Sequence, residues 1–164
     1  MVMYRIAGII MLGVSLLSAP SVVAQTKVAA GAKPKKIFMP QAYLGNSDYK
    51  GGIIPKELLG NLLKQGLTSR DSLGNKYKVV GFEFVYAERM LYEDSVGNLM
   101  VNVDYLSEYC TGDTLSAGIT NNIYERMKSG DSAFFNKIEV LKTKPGEAGG
   151  TVIMGKGMKF AITK

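Results

Sequence analysis

A chain of 164 residues with a formal net charge of +6 carries 20 Lys and Arg against 14 Asp and Glu, one cysteine, and neither histidine nor tryptophan. The missing histidine removes Ser-His and Cys-His nucleophile pairs, histidine-containing zinc sites and the usual neutral-pH proton shuttle. Cys110 stands alone, so no intramolecular disulfide can form; its setting in "EYCTGD" reads as a small buried hydrophobe, with an intermolecular disulfide as the alternative.

The first predicted element is a sorting signal. Arg5 precedes the apolar run Ile6 to Leu17, and "SAPSVVA" follows with Val22 and Ala24 at the small-residue positions a signal peptidase requires. Residues 1–24 are therefore read as a secretory signal peptide. The run is short of the roughly 20 apolar residues needed to span a bilayer. No second run follows it, and no cysteine is placed for acylation. The expected product is a periplasmic or released protein, neither a lipoprotein nor anchored by a transmembrane segment. Residues 25–36 hold Lys27, Lys33, Lys35 and Lys36 with no acid between them, which reads as a basic flexible linker. Without interleaved aromatics these lysines make no nucleic-acid site.

Residues 37–164 suffice for one domain. "IFMPQAYL", interrupted by Pro40, suits an edge strand. "GNSDYKGG" reads as a turn, and "IIPKELLGNLLKQG" as a helix with Pro55 in its first turn, Leu58, Leu59, Leu62 and Leu63 on one face, and Gly66 as cap. "SRDSLGNK" is a turn. In "KYKVVGFEFVYAER", Tyr77 and Val79 share one parity, while Phe82, Phe84 and Tyr86 share the other; the switch at Val80–Gly81 predicts a β-bulge. After the turn "EDSVGN", Leu99, Val101, Val103 and Tyr105 alternate with Met100, Asn102 and Asp104, as in a half-buried strand. "AGITNNIYERMKSG" predicts a second helix stopped by Gly130. "SAFFNKIEVLKT" returns to strand with Phe134, Ile138 and Val140 of one parity, and "TVIM" and "MKFAITK" are the last pair. The predicted fold class is mainly β: an immunoglobulin-like β-sandwich with one or two short covering helices.

"GGTVIMGKGMKF" matches the spacing of a phosphate loop, but Gly157 stands where Ser or Thr is needed, and strand-forming residues follow rather than a helix. Gly155–Gly157 reads instead as a hairpin turn between the last two strands. Asp104, Glu108 and Asp113 lack the spacing of a calcium loop, so no metal or cofactor is expected. Glu83 and Glu88 are the acids a histidine-free hydrolase would use, though acids on strands more often face solvent. No catalytic residue is assigned. Tyr43, Tyr49, Tyr92, Tyr109 and Tyr124 fall in or near turns and helices, and exposed tyrosines suit protein or sugar contacts.

Four stretches together, "GGIIPKELLGNLLKQGL", "YKVVGFEFVYA", "ITNNIYERMKSGDSAFFNKIEVLK" and "MGKGMKFAI", resemble the C-terminal periplasmic domain of the GldM/PorM family, trans-envelope proteins of Bacteroidetes gliding motility and type IX secretion. The matching positions are Ile54, Lys56 and Leu58; Val79, Phe82 and Phe84; Lys128, Gly130 and Asp131; Phe135 and Ile138; Phe160 and Ile162. The resemblance spans residues 51–164. It implies an immunoglobulin-like fold and contact with envelope proteins, with Asp131 holding the helix-to-strand corner through its side-chain acceptor. Family members are longer and begin with an inner-membrane helix coupled to a motor. The family's "P-D-G" turn is here Pro145-Gly146-Glu147. The leading expectation is thus a non-catalytic interaction module that docks onto an envelope assembly or a second copy of itself. The alternatives are a small-ligand or glycan-binding protein, and a paired-carboxylate hydrolase.

Overall fold

The computed structural model describes residues 38–143 and 149–164, so the expected signal peptide, the linker and the Pro145–Glu147 turn lie outside the described residues. The architecture is mainly β. In chain order the elements are β1 (Gln41–Leu44), β2 (Gly52–Pro55), α1 (Lys56–Leu63), β3 (Leu67–Arg70), β4 (Lys76–Glu93), β5 (Leu99–Thr111), α2 (Ala117–Arg126), β6 (Ser132–Thr143), β7 (Gly150–Met154) and β8 (Met158–Thr163).

One mixed sheet runs in the order β1-β3-β4-β6-β8-β2, with β5 added to β4 and β7 to β6. β2 pairs with β8 in parallel, and the other ladders are antiparallel. The sheet curls on itself: the Lys156 N–H donates to the Pro40 carbonyl at 2.9 Å, and Gln41 and Lys156 form an isolated parallel bridge. Curling follows from the right-handed twist of long strands, sharpened where the ladder is irregular. Its register on β6 shifts between Val79 and Gly81 and again between Gly81 and Glu83. Val79 is buried on one side of the irregularity and Phe82 on the other, as the parity switch in the sequence predicts.

Inside the curl, Phe135 stacks edge-on against Phe84 and Phe160, with ring centroids 5.2 and 6.0 Å apart, and Phe82 lies at 6.0 Å. Edge-to-face and tilted packing suits the ring quadrupoles. Ile54, Ile138, Val140 and Ile162 complete this layer, and Leu59, Leu62 and Leu63 of α1 join it with Ile123 of α2. Gly60, a weak helix former, is explained by Tyr124: a Cβ there would lie 2.5 Å from the ring.

Three expectations need correction. Phe134 faces outward, with the Lys159 ammonium 5.1 Å from its ring centroid, and Phe135 takes the core position. The cause is Lys137, whose φ of 46° breaks the alternation between Phe135 and Ile138. Gly155–Gly157 is no hairpin turn. β7 and β8 run in line along the same edge of β6, with Met154 beside Glu139 and Met158 beside Phe135. Glycine is needed there for close approach, since a Cβ at Gly157 would lie 2.9 Å from the Phe135 carbonyl oxygen. Two short strands also fall where turn and helix are expected, β2 at Gly52–Pro55 and β3 at Leu67–Arg70. Both take their conformation from neighbours, β8 and β1, rather than from any pattern of their own.

Candidate interaction surface on the β4–β5 arm

β4 is long enough to outrun its neighbour. On one edge, β6 accompanies it only as far as Ala87, paired with Ser132; on the other, β5 follows it to Glu93, paired with Leu99. Residues 88–93 and 99–104 therefore form a two-stranded arm projecting past the sheet. The arm closes through Asp94, whose carboxylate accepts the N–H groups of Val96 and Asn98 at 3.0 and 2.8 Å and the Asn98 side-chain amide at 3.0 Å. Bonds from Asn98 hold that carboxyl below the usual carboxylate range. "DSVGN" repeats the "DSLGN" of residues 71–75, where Asp71 accepts the same three donors from Leu73 and Asn75.

The root is fixed by two buried acidic side chains, Asp131 and Glu88. Asp131 is fully buried and accepts from the Tyr86 hydroxyl, the Arg89 N–H at 2.8 Å and the Lys128 N–H at 2.9 Å. Its own backbone joins β8, the Ile162 N–H donating to the Asp131 carbonyl at 2.9 Å. Asp131 thus ties the turn after α2, β4, β6 and β8 into one corner, the helix-to-strand corner at which a side-chain acceptor is expected. Burial first, then the bond to Asp131, raises the Tyr86 phenol far above its ordinary value. Beside it, Glu88 receives Lys128 Nζ at 3.1 Å and Arg126 Nε at 2.9 Å. The bond from Lys128, followed by that from Arg126, holds Glu88 below the usual carboxylate range.

Cross-strand pairing sorts the arm into two faces, because directly opposed residues share a side. Even-numbered residues continue the core side: Glu88 pairs with Asp104, Met90 with Asn102 and Tyr92 with Met100. Odd-numbered residues form the other side: Arg89 pairs with Val103, Leu91 with Val101, Glu93 with Leu99 and Ala87 with Tyr105. This odd face is apolar and uncovered. Leu91 is 73% exposed, Leu99 74%, Tyr105 65% and Val101 50%. The expectation of a half-buried β5 is thus right in period and wrong in burial: from Leu99 to Tyr109 both parities are exposed. Among the described residues no element lies over the odd face, and nothing pairs with the outer edge of β5. A hollow of about 430 Å³ lies at the root, lined by Arg89, Met90, Leu91, Val101, Lys128 and Ser129.

The five tyrosines named from sequence do not gather into one patch. Tyr43 lies on β1 under the Arg70 guanidinium, 4.0 Å from the ring centroid. Tyr49 is exposed in the loop after β1, and Tyr124 packs on Gly60 with Lys56 Nζ 5.0 Å above its ring. Tyr92 and Tyr109 belong to the β4–β5 ribbon but face opposite sides. Tyr92 sits beside Met100, while Tyr109 crosses Gly81 and donates to Glu139 Oε2 at 3.1 Å. That bond raises the Tyr109 phenol. The residues sequence reasoning missed are Leu91, Leu99, Val101, Val103 and Tyr105. For Leu99, Val101, Val103 and Tyr105 the signal, strict alternation, was present and read as a half-buried strand; Leu91 lay outside the pattern.

Other constellations come apart. Glu83 pairs with Lys137 at 3.2 Å on the outer side of β4, and Glu88 lies on the opposite side, so the two acids do not share a cleft. Among the described residues no group of three or more Cys, Asp or Glu is placed to hold a metal ion, so Asp104, Glu108 and Asp113 stand apart. Cys110 is buried, and burial raises its thiol. No described helix is long and apolar enough to cross a membrane. No family model matches the chain, and no curated protein matches it.

Proposed function

We propose that this protein is a non-catalytic, periplasmic protein-interaction module, exported by a cleaved signal peptide, that docks onto an envelope assembly related to gliding motility or type IX secretion. The observation that carries the reading is the β4–β5 arm. It is built from an alternating apolar pattern, rooted in a buried carboxylate corner, and left with its apolar odd face uncovered. Contiguous exposed apolar area of this kind marks interaction sites on folded proteins, and a long open strand edge is a template for pairing. In this reading the curled sheet is a variant of the immunoglobulin-like sandwich. Support also comes from the positions that resemble the GldM/PorM C-terminal domain: Ile54, Val79, Phe82, Phe84, Asp131, Phe135, Ile138, Phe160 and Ile162 are buried, while Lys56, Leu58, Lys128 and Gly130 are not.

The test is cross-linking of the tagged protein in the cells that produce it, with partners identified by mass spectrometry after a high-salt wash. The reading predicts a stoichiometric envelope partner that survives the wash, since apolar contacts are not screened. Recovery of the chain without any partner would contradict it.

A further inference from the structure

The odd face of the arm is complementary to itself. It carries one cation and one anion on the same strand, Arg89 and Glu93, placed two residues to either side of Leu91. Strand rise puts each about 7 Å from that centre. Among the described residues neither Arg89 nor Glu93 makes an ion pair. Leu91 is paired across the ribbon with Val101, and the flanking levels hold Val103 beside Arg89 and Leu99 beside Glu93.

From this arrangement, and resting on the proposed role of the arm as a docking surface, we infer that its occupant is the arm of a second copy of this chain. The two arms pack face to face about a two-fold axis that crosses the strands at the Leu91–Val101 level. That operation reverses position along the strand and keeps β4 over β4. It sets Arg89 of one copy against Glu93 of its partner, twice. It stacks Leu91 on Leu91 and Val101 on Val101, and places Leu99 against Val103. Tyr105, four residues from the centre, meets the turn of the partner at Val96, a side chain 77% exposed in the single chain. An axis parallel to the strands would instead lay β4 over β5, setting Arg89 against Val103 and Glu93 against Leu99, and would leave both charges without a partner.

The areas agree with this occupant. Five apolar side chains at roughly 100 Å² each, with the charged rim, approach the roughly 800 Å² per partner of a stable interface. Apolar sheets stack about 10 Å apart, a gap Arg and Glu side chains can bridge together. The contact is isologous, so it closes at two copies and does not propagate into fibres. It also covers the apolar face of a ribbon that, with two strands alone, is marginal in water.

Sedimentation velocity of the full chain as its cells produce it, over a dilution series, tests this. A dimer that dissociates on dilution is expected. Val101→Asp should leave the thermal midpoint unchanged at dilutions where the wild type is monomeric, and weaken the dimer more than a hundredfold. Arg89→Glu and Glu93→Arg should each weaken it about tenfold, and the double exchange should restore it to within about threefold of wild type, as only the symmetric pairing requires. A monomer at all concentrations overturns the inference, as does a dimer indifferent to Val101→Asp, or single exchanges that the double does not rescue. If the chain is monomeric but Val101→Asp still abolishes capture of an envelope protein, the second copy is overturned and the arm remains a docking surface. If Val101→Asp affects neither, the docking role of the arm falls as well.

Discussion

β5 and β6 flank the same strand, β4, and both alternate apolar with polar residues, yet their fates differ. On β6, Ala133, Phe135, Ile138 and Val140 are sealed beneath the curled sheet and the two helices. On β5, Leu99, Val101, Val103 and Tyr105 alternate without the break that Lys137 makes in β6, and stay open to solvent. The distinction lies first in the side of the sheet each row takes, the inside of the curl for β6 and the outside for β5, and then in what else each strand pairs with. β6 has β4 on one edge and both β7 and β8 on the other, whereas β5 has β4 alone. Alternation therefore encodes a face that must be covered, and it does not encode whether the cover comes from the same chain. On β6 the cover is intramolecular, and on β5 we assign it to a partner.

The contrast can be broken at its hinge. Asp131→Ala would leave three donors, two of them backbone N–H groups, without their acceptor, and should cost about 4 kcal/mol of folding stability in urea titration. Asp131→Asn, which keeps one acceptor oxygen, should cost less. A loss under 1 kcal/mol for the alanine variant would mean that the corner is not what fixes the arm.

Matched truncations on the two strands sharpen the comparison. Ile138→Ala on β6 removes fully buried methyl groups and should cost about 3 kcal/mol. Val101→Ala on β5 should change the stability of the isolated chain by less than about 0.5 kcal/mol. Equal costs would show that β5 is buried in the free protein.

A smaller effect belongs to Glu88. Its folded-state pKa is depressed by Lys128 and Arg126, so the stabilisation is fully present above the unfolded value of about 4.3 and is lost as pH falls through the lowered folded value. Glu88→Gln should therefore lower stability by about 1–2 kcal/mol at pH 7, with the gap from wild type narrowing below about pH 4. A gap independent of pH would assign the cost to packing rather than charge.

Much of the fold was legible because long periodic segments carry their own signal. The bulge at Val80–Gly81, α1, α2 and the mainly β character followed from spacing and glycine placement. Misreadings occurred where tertiary context sets conformation. β2 and β3 are four-residue strands without a pattern, defined by the strands they join. The parity of β6 turned on Lys137, a residue with no sequence mark of its positive φ. The in-line β7–β8 pair was hidden because glycines that permit close approach look like glycines that make turns. The arm was half legible: "NLMVNVDYL" announced an amphipathic strand, but the length of β4 relative to β6 decides that no cover reaches it.

The most direct test of the account is photo-crosslinking from a single introduced residue in the native cells, at Val101 on the arm and at Leu73 on the Asp71–Asn75 turn. Leu73 is more exposed, 85% against 50%, and sits in the twin of the turn that closes the arm. The account predicts a discrete protein adduct from Val101 and none from Leu73. Adducts of equal yield from both sites, or from Leu73 alone, would show that the odd face of the arm is simply exposed surface.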